Sequence, residues 1–211
     1  MQLVAEQDSL ENVTEFKYLG IIINQHLTRH DHVEMLHSKV ALRLGALKRI
    51  RHLLPIYVTK LYVMTMIVPL LDNASIVWGD KNNKTLMNSL QILHNKAAKL
   101  ILNRPPWSSS SKALKELKWL ELSQRKRNFQ RCIYVYNQVS EDALNFPKGK
   151  DFHEYNTRNK DLLRTVKSNT NWGLQTSQNS CGQTWNSLPN DTKLLSSLRK
   201  FKRALKCSFF N

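Results

Sequence analysis

Two groups of cations are spaced to meet an anion. Lys39, Arg43, Lys48 and Arg49 fall within one helical pattern, the first two flanking its apolar stripe and the last two with His52 on the opposite face, and Arg125, Lys126, Arg127 and Arg131 crowd the first turns of another. Such side chains neutralise phosphates one by one, without reading a base. Basic residues at a helix N-terminus also oppose the helix dipole, so an anionic partner there would relieve a local electrostatic cost. A solvated basic face on a core helix fits the same pattern, and spacing alone leaves both readings open.

Other chemistries are poorly represented. His26, His30, His32 and His37 lie close together, but no cysteine or carboxylate pair accompanies them at ligand spacing, so no metal site is expected. The six glycines are scattered singly, which excludes a Gly-rich phosphate loop. No G-x-S-x-G elbow starts a hydrolase triad. The adjacent acids Glu141 and Asp142 have no strand hairpin around them, and no Asp-Asp pair occurs.

Charge supports the anion reading. Across 211 residues there are 32 Lys plus Arg against 16 Asp plus Glu, a formal net charge of +16. That excess repels itself unless an anionic partner neutralises it, and nucleic acid is the commonest such partner. No lipid-anchoring motif accompanies the clusters, and the apolar run Ile56 to Leu71 is broken by Thr59, Lys60, Thr65 and Pro69, so no membrane partner is expected. Three cysteines at long spacing, Cys132, Cys181 and Cys207, predict free thiols. With no signal-peptide pattern at the start, an intracellular location, nuclear or cytoplasmic, is expected.

The elements that must position the cations are mostly helices. Apolar residues at Val33, Leu36, Val40, Leu44, Leu47, Ile50 and Leu54 step by three and four, with Asp31 and Glu34 placed as a capping box. Ile56 to Val68 is apolar nearly all round and predicts an enclosed helix, with Met64 and Met66 as core filler and Pro69 kinking or ending it. Leu86, Leu90, Leu93, Ala97, Leu100 and Ile101 give the clearest buried stripe, and Asn88, Gln91, Asn95 and Lys99 its wet face. The run PPWSSSS reads as a linker. Beyond it come a short helix over 113–122 and a helix capped by Ser123 with Phe129, Cys132, Ile133 and Tyr136 inward. An irregular stretch over 141–184 contains HEYNTRNKDLLR, a composition suited to phosphate contact with stacking or to a surface loop. The last helix carries Leu198, Phe201 and Leu205 inward and Arg199, Lys200, Lys202, Arg203 and Lys206 outward. Ahead of them all, EFKYLGIIIN predicts one strand, apolar on both faces and therefore covered on both, with Leu3 to Ala5 as its ribbon partner. Without further strands this ribbon reads as cut from a larger sheet.

These segments, in this order, carry a resemblance. FKYLGIII resembles the primer-grip strand that closes the palm of reverse transcriptases from non-long-terminal-repeat (LINE-like, jockey-type) retrotransposons. SKVALRLGALKRIRHLLP, LYVMTMIVPLLDNASIVWG and LQILHNKAAKLIL resemble their thumb helices, and ALKELKWLEL, YNTR, TWNSLP and FKRALK their carboxy-terminal region. The resemblance implies a mainly α fold: a palm-closing β-ribbon over 1–30, a thumb-like helical bundle over 31–104 and a basic helical carboxy-terminal region over 105–211. It implies that Phe16, Tyr18, Leu19 and Gly20 form a primer grip, and that Lys39, Arg43, Lys48 and Arg49 are thumb contacts to RNA and DNA. Magnesium in such enzymes sits on palm carboxylates for which this sequence has no counterpart, so no cofactor, no small-molecule substrate and no polymerisation by this chain alone are expected. The expected role is to hold a template and primer duplex by its backbone during target-primed synthesis. The alternatives are a helical protein-interaction module, or a transposon remnant with no nucleic-acid role.

Overall fold

The computed structural model describes residues 4–5, 8–9, 13–79, 84–122, 129–140, 146, 148, 151, 161–170, 173 and 176–210. Among them the chain is mainly helical, with short antiparallel ribbons at the N-terminus.

The EFKYLGIIIN stretch is a hairpin rather than one strand. Strands β1 (Val4–Ala5) and β2 (Asp8–Ser9) pair with each other, and β3 (Glu15–Tyr18) pairs with β4 (Ile21–Asn24). Leu19 and Gly20 both take positive φ, 47° and 85°, the geometry of a two-residue hairpin turn. Asn-Gly usually signals that turn; Leu-Gly does not, so the reversal is hidden in the sequence. Phe16 faces Ile23 and Tyr18 faces Ile21 across the ribbon. Phe16, Tyr18 and Leu19 are more than half exposed, so among the described residues the strand is not covered on both faces as expected. The ribbon instead leans on the first helix, where the Ile22 amide donates to His32 Nδ1 at 3.4 Å.

Helix α1 (His30–Ile50) buries Val33, Leu36, Val40, Leu44 and Leu47 of the expected stripe together with His32, while Ile50 at its end is exposed. Its cap differs from expectation. Arg29 holds the cap position without a side-chain bond, while Asp31 lies inside the first turn and accepts from Asn24 Nδ2 at 2.7 Å. Pro55 then precedes α2 (Ile56–Tyr62), a π turn (Val63–Ile67) and α3 (Val68–Asp72). Pro69 lacks the amide that a regular helix requires, and the widened turn absorbs this: Val68 donates five residues back, to Val63. This hairpin arm is not enclosed. Val63, Ile67, Val68 and Leu71 are buried, but Ile56, Tyr57, Leu61, Met64 and Met66 are exposed, so the two methionines are not core filler.

Helix α4 (Ser75–Trp78) seats Trp78 in the core, and α5 (Lys84–Ile101) packs along α1 through Leu90, Leu93, Ala97, Ala98 and Ile101. Asn103, at φ 52°, ends α5, and Pro105 to Ser109 turn the chain into α6 (Ser110–Glu116). PPWSSSS is a corner rather than a linker, because Ala113, Leu114, Trp119 and Leu122 join the same core as α1 and α5. The buried residues therefore divide after Leu122 and not at 105. A second core gathers α7 (Arg131–Ser140), α8 (Ser177–Asn186) and α10 (Leu198–Phe210), with α9 (Asn190–Lys193) between the last two. Each fully buried Leu, Val or Phe contributes roughly 1.5–3 kcal/mol relative to exposure.

Candidate nucleic-acid interface

The four cations expected on α1 divide between faces, as their spacing has it. At 100° per residue Lys39 and Arg43 lie on one edge of the helix, Arg49 points outward among exposed Leu42 and Leu53, and Lys48 turns toward α5. Arg43 is committed locally: its guanidinium donates to the Met66 carbonyl in the π turn. Lys39 and Arg49 are exposed.

Lys48 meets cations the sequence did not single out. A groove of about 550 Å³ between α1 and α5 is lined by Lys48, Lys96, Lys99 and Arg104, with Gly45 and Ile92 among its apolar surface and no Asp or Glu. Two of the four are braced in place. Lys99 Nζ donates to the Pro106 carbonyl at 2.6 Å, and Arg104 pairs with Glu116. Lys48 and Lys96 are exposed. The signal that points to the groove is an i,i+3 pair, Lys96 and Lys99, flanking the α5 stripe.

Gly45 gives the groove its depth. A Cβ built there would meet nothing within 4 Å, so packing inside the chain does not demand the glycine. A glycine in a helix interior costs about 0.5–1 kcal/mol relative to alanine, and the open space above it allows close approach by something outside the chain.

Some basic residues are structural. Arg51 donates to the Leu100 carbonyl at 2.7 Å, the Ile101 carbonyl at 3.2 Å and the Leu54 carbonyl at 2.8 Å, closing the C-terminal turn of α5 with a cation. Arg131, expected at the interface, is 5% exposed and donates to the Gly79 carbonyl at 3.4 Å; it ties the second core to the first and presents no open surface. Arg125, Lys126 and Arg127 lie outside the described residues, as does most of HEYNTRNKDLLR.

Comparison with protein-family models, curated proteins and solved structures finds no match.

The remaining expected sites fall as follows. Phe16 and Tyr18 share one exposed face of the β3–β4 ribbon, and Leu19 and Gly20 form its tip, beside Asn73. Three of the four histidines do separate work, and His37 lies half-buried on α1. His32 packs edge-on against Trp78 at 5.6 Å, His30 lies beside Asp31 and Glu34, and His26 contacts Gln25. Among the described residues no three His, Cys, Asp or Glu side chains gather to hold a metal ion. None of the helices there is long and apolar enough to cross a membrane.

Proposed function

We propose that this chain is the thumb and carboxy-terminal region of a non-long-terminal-repeat retrotransposon reverse transcriptase, and that it holds a template and primer duplex through its phosphates. The order of the segments resembling that family supports the parentage. The observation that carries the binding role is the α1–α5 groove, where four cations converge with no carboxylate in the lining and an open glycine lies among them. The walls offer charge without a built base-reading site, so affinity is nearly independent of sequence. The role proposed for the chain is grip on the nucleic acid through its phosphates.

Titrating a labelled duplex against salt tests this. Arg104 is already paired with Glu116, so three phosphates neutralised by Lys48, Lys96 and Lys99 give a slope of log affinity against log salt of about −2 to −3, and Lys48→Ala with Lys96→Ala flattens it by about two units. A folded protein that binds no duplex at low salt overturns the proposal. A second reading, protein docking, is favoured by one observation: Leu42, Leu53, Ile56, Tyr57 and Leu61 are each more than half exposed around α1 and α2. Duplex binding untouched by the groove substitutions, together with self-association or partner capture lost on Tyr57→Ser, would move the assignment there.

A further inference from the structure

The two cores meet at a second basic cleft, of about 730 Å³, between the end of α6 and the last helix. Lys115 and Lys118 line it from one side and Arg203 and Lys206 from the other, with Glu121 the one carboxylate in the lining. All four cations are exposed. Trp119, Leu120 and Phe209 make its apolar surface, and Trp119 is held by stacking on His94 at 5.2 Å.

Lys118 is the unusual residue. Helix α6 closes with the Trp119 amide bonded to the Leu114 carbonyl at 2.9 Å and the Lys118 amide to the Lys115 carbonyl at 3.0 Å. That closure requires a left-handed residue at position 118, and Lys118 takes φ 53°. Glycine fills the position most readily and asparagine next; the equivalent closure of α5 uses Asn103 at φ 52°. A lysine there carries local strain of order 1 kcal/mol, as do Leu27 at φ 53° and Ala74 at φ 47° elsewhere in the chain. At position 118 the lysine places a cation into the cleft.

We infer that this cleft binds the phosphate backbone of a single strand of nucleic acid, continuing past α6 from the α1–α5 groove. The inference rests on the nucleic-acid reading above and assigns a second site within it. The two grooves share α6: Ser110 lines one and Ser111 the other. A duplex turns its bases inward and would leave the apolar floor without a partner, whereas a single strand can lay a base face on the half-buried Phe209, backed by the buried Trp119, while its phosphates meet the four cations.

The test uses the full chain with a labelled 15-nucleotide oligothymidine and a 15-base-pair duplex at several salt concentrations. Lys118→Gly, and separately Arg203→Ala with Lys206→Ala, should each weaken single-strand binding about three- to tenfold and flatten its salt slope by about 0.7 per lost phosphate contact. Duplex affinity should change less than twofold. Lys118→Gly should melt at the same or a higher temperature than the parent, because it removes the left-handed strain, which separates lost binding from lost fold. Single-strand binding unchanged in both variants while the duplex still binds overturns this inference alone. Equal loss for both ligands overturns it too, reducing the cleft to diffuse charge. A parent chain that binds neither ligand overturns the proposed function along with it.

Discussion

The first core and the second are built on different principles. Between Val33 and Leu122, helical stripes of Leu, Val and Ala interlock, and the cations stand on edges and in a groove. Between Cys132 and Leu205 the core is aromatic and sulfur-rich. Phe201 stacks on Tyr136 at 4.4 Å and tilts against Trp185 at 5.7 Å, while Cys132 and Cys181 lie fully buried. There polar side chains do work that backbone ladders do elsewhere. Asn186 receives the Leu163 amide at 3.0 Å and donates to its carbonyl at 2.9 Å, and Asn179 receives the Val166 amide at 2.7 Å. The extended segment 163–166 is thereby pinned to α8 without a regular sheet. The contrast teaches that the first body depends on periodicity and the second on a few specific contacts, so the second is the more easily broken by one substitution.

Phe201→Ala is the most severe way to test that contrast. Deleting a fully buried aromatic costs about 3–5 kcal/mol, a large share of a domain's stability. Hydrogen exchange should show α7, α8 and α10 losing protection while Leu44 to Leu47 and Leu93 to Ile101 keep theirs. Ile76 and the Arg131–Gly79 hydrogen bond link the two bodies. Simultaneous loss of protection in both would show that these links make one cooperative unit and would break the comparison.

The buried thiols give a smaller and pH-dependent handle. Burial pushes Cys132 up to about 12 and Cys181 up to about 11 from an ordinary 9.0; a charge on Cys181 adds to the first, and Arg131 pulls both back. Both therefore stay protonated in the folded chain at pH values where the unfolded chain releases its protons. Their contribution is complete below pH 9 and is lost as pH rises toward 11 to 12, at about 1.4 kcal/mol per pH unit for each thiol. Urea unfolding between pH 8.5 and 10.5 should show this decline, and Cys132→Ala should remove about half of the part due to thiols. An alkaline slope identical in that variant would mean that the thiol ionises freely.

The difference between the bodies also sets what could be read from sequence. The stripes of α1 and α5 and the inward Leu198, Phe201 and Leu205 of α10 are periodic, and the structure has them as expected except at the end of α1, where Ile50 is exposed. The hairpin was illegible because its turn is Leu-Gly, and the exposed side of α2 because apolar residues lie nearly all round it and the polar Thr59 is turned inward, leaving only Lys60 to mark the outside. At the candidate interface, Lys48 was legible, but its groove partners Lys96 and Arg104 depend on the α1–α5 packing and on the turn at Pro105. Arg131 looked like its basic neighbours in sequence, and only the approach of Gly79 shows that it is internal. Asn179 and Asn186 gave no signal, since a side chain that binds a distant backbone has no period.

Two glycines carry the contrast down to a single methyl group. Gly45 in α1 faces open space, so Gly45→Ala meets no atom of the chain and gains the usual helix-interior stabilisation of about 0.5–1 kcal/mol. Gly182 in α8 is buried, and a Cβ there would stand 3.3 Å from Thr165 Cγ2 and 4.0 Å from Leu163 Cβ. Thr165 sits between residues whose amides are held by Asn186 and Asn179, so it gives way poorly, and overpacking of about 1 kcal/mol or more outweighs the helix gain. Thermal unfolding of the two variants should therefore shift in opposite directions, Gly45→Ala upward and Gly182→Ala downward. Duplex affinity should fall in Gly45→Ala despite its greater stability, because the added methyl occupies the floor that a phosphate backbone approaches. If Gly182→Ala is stabilised as much as Gly45→Ala, segment 163–166 is not pinned and the second body is no more specific in its packing than the first. If Gly45→Ala binds duplex as well as the parent, the ligand does not come down to α1, and the groove's cations act only at its rim.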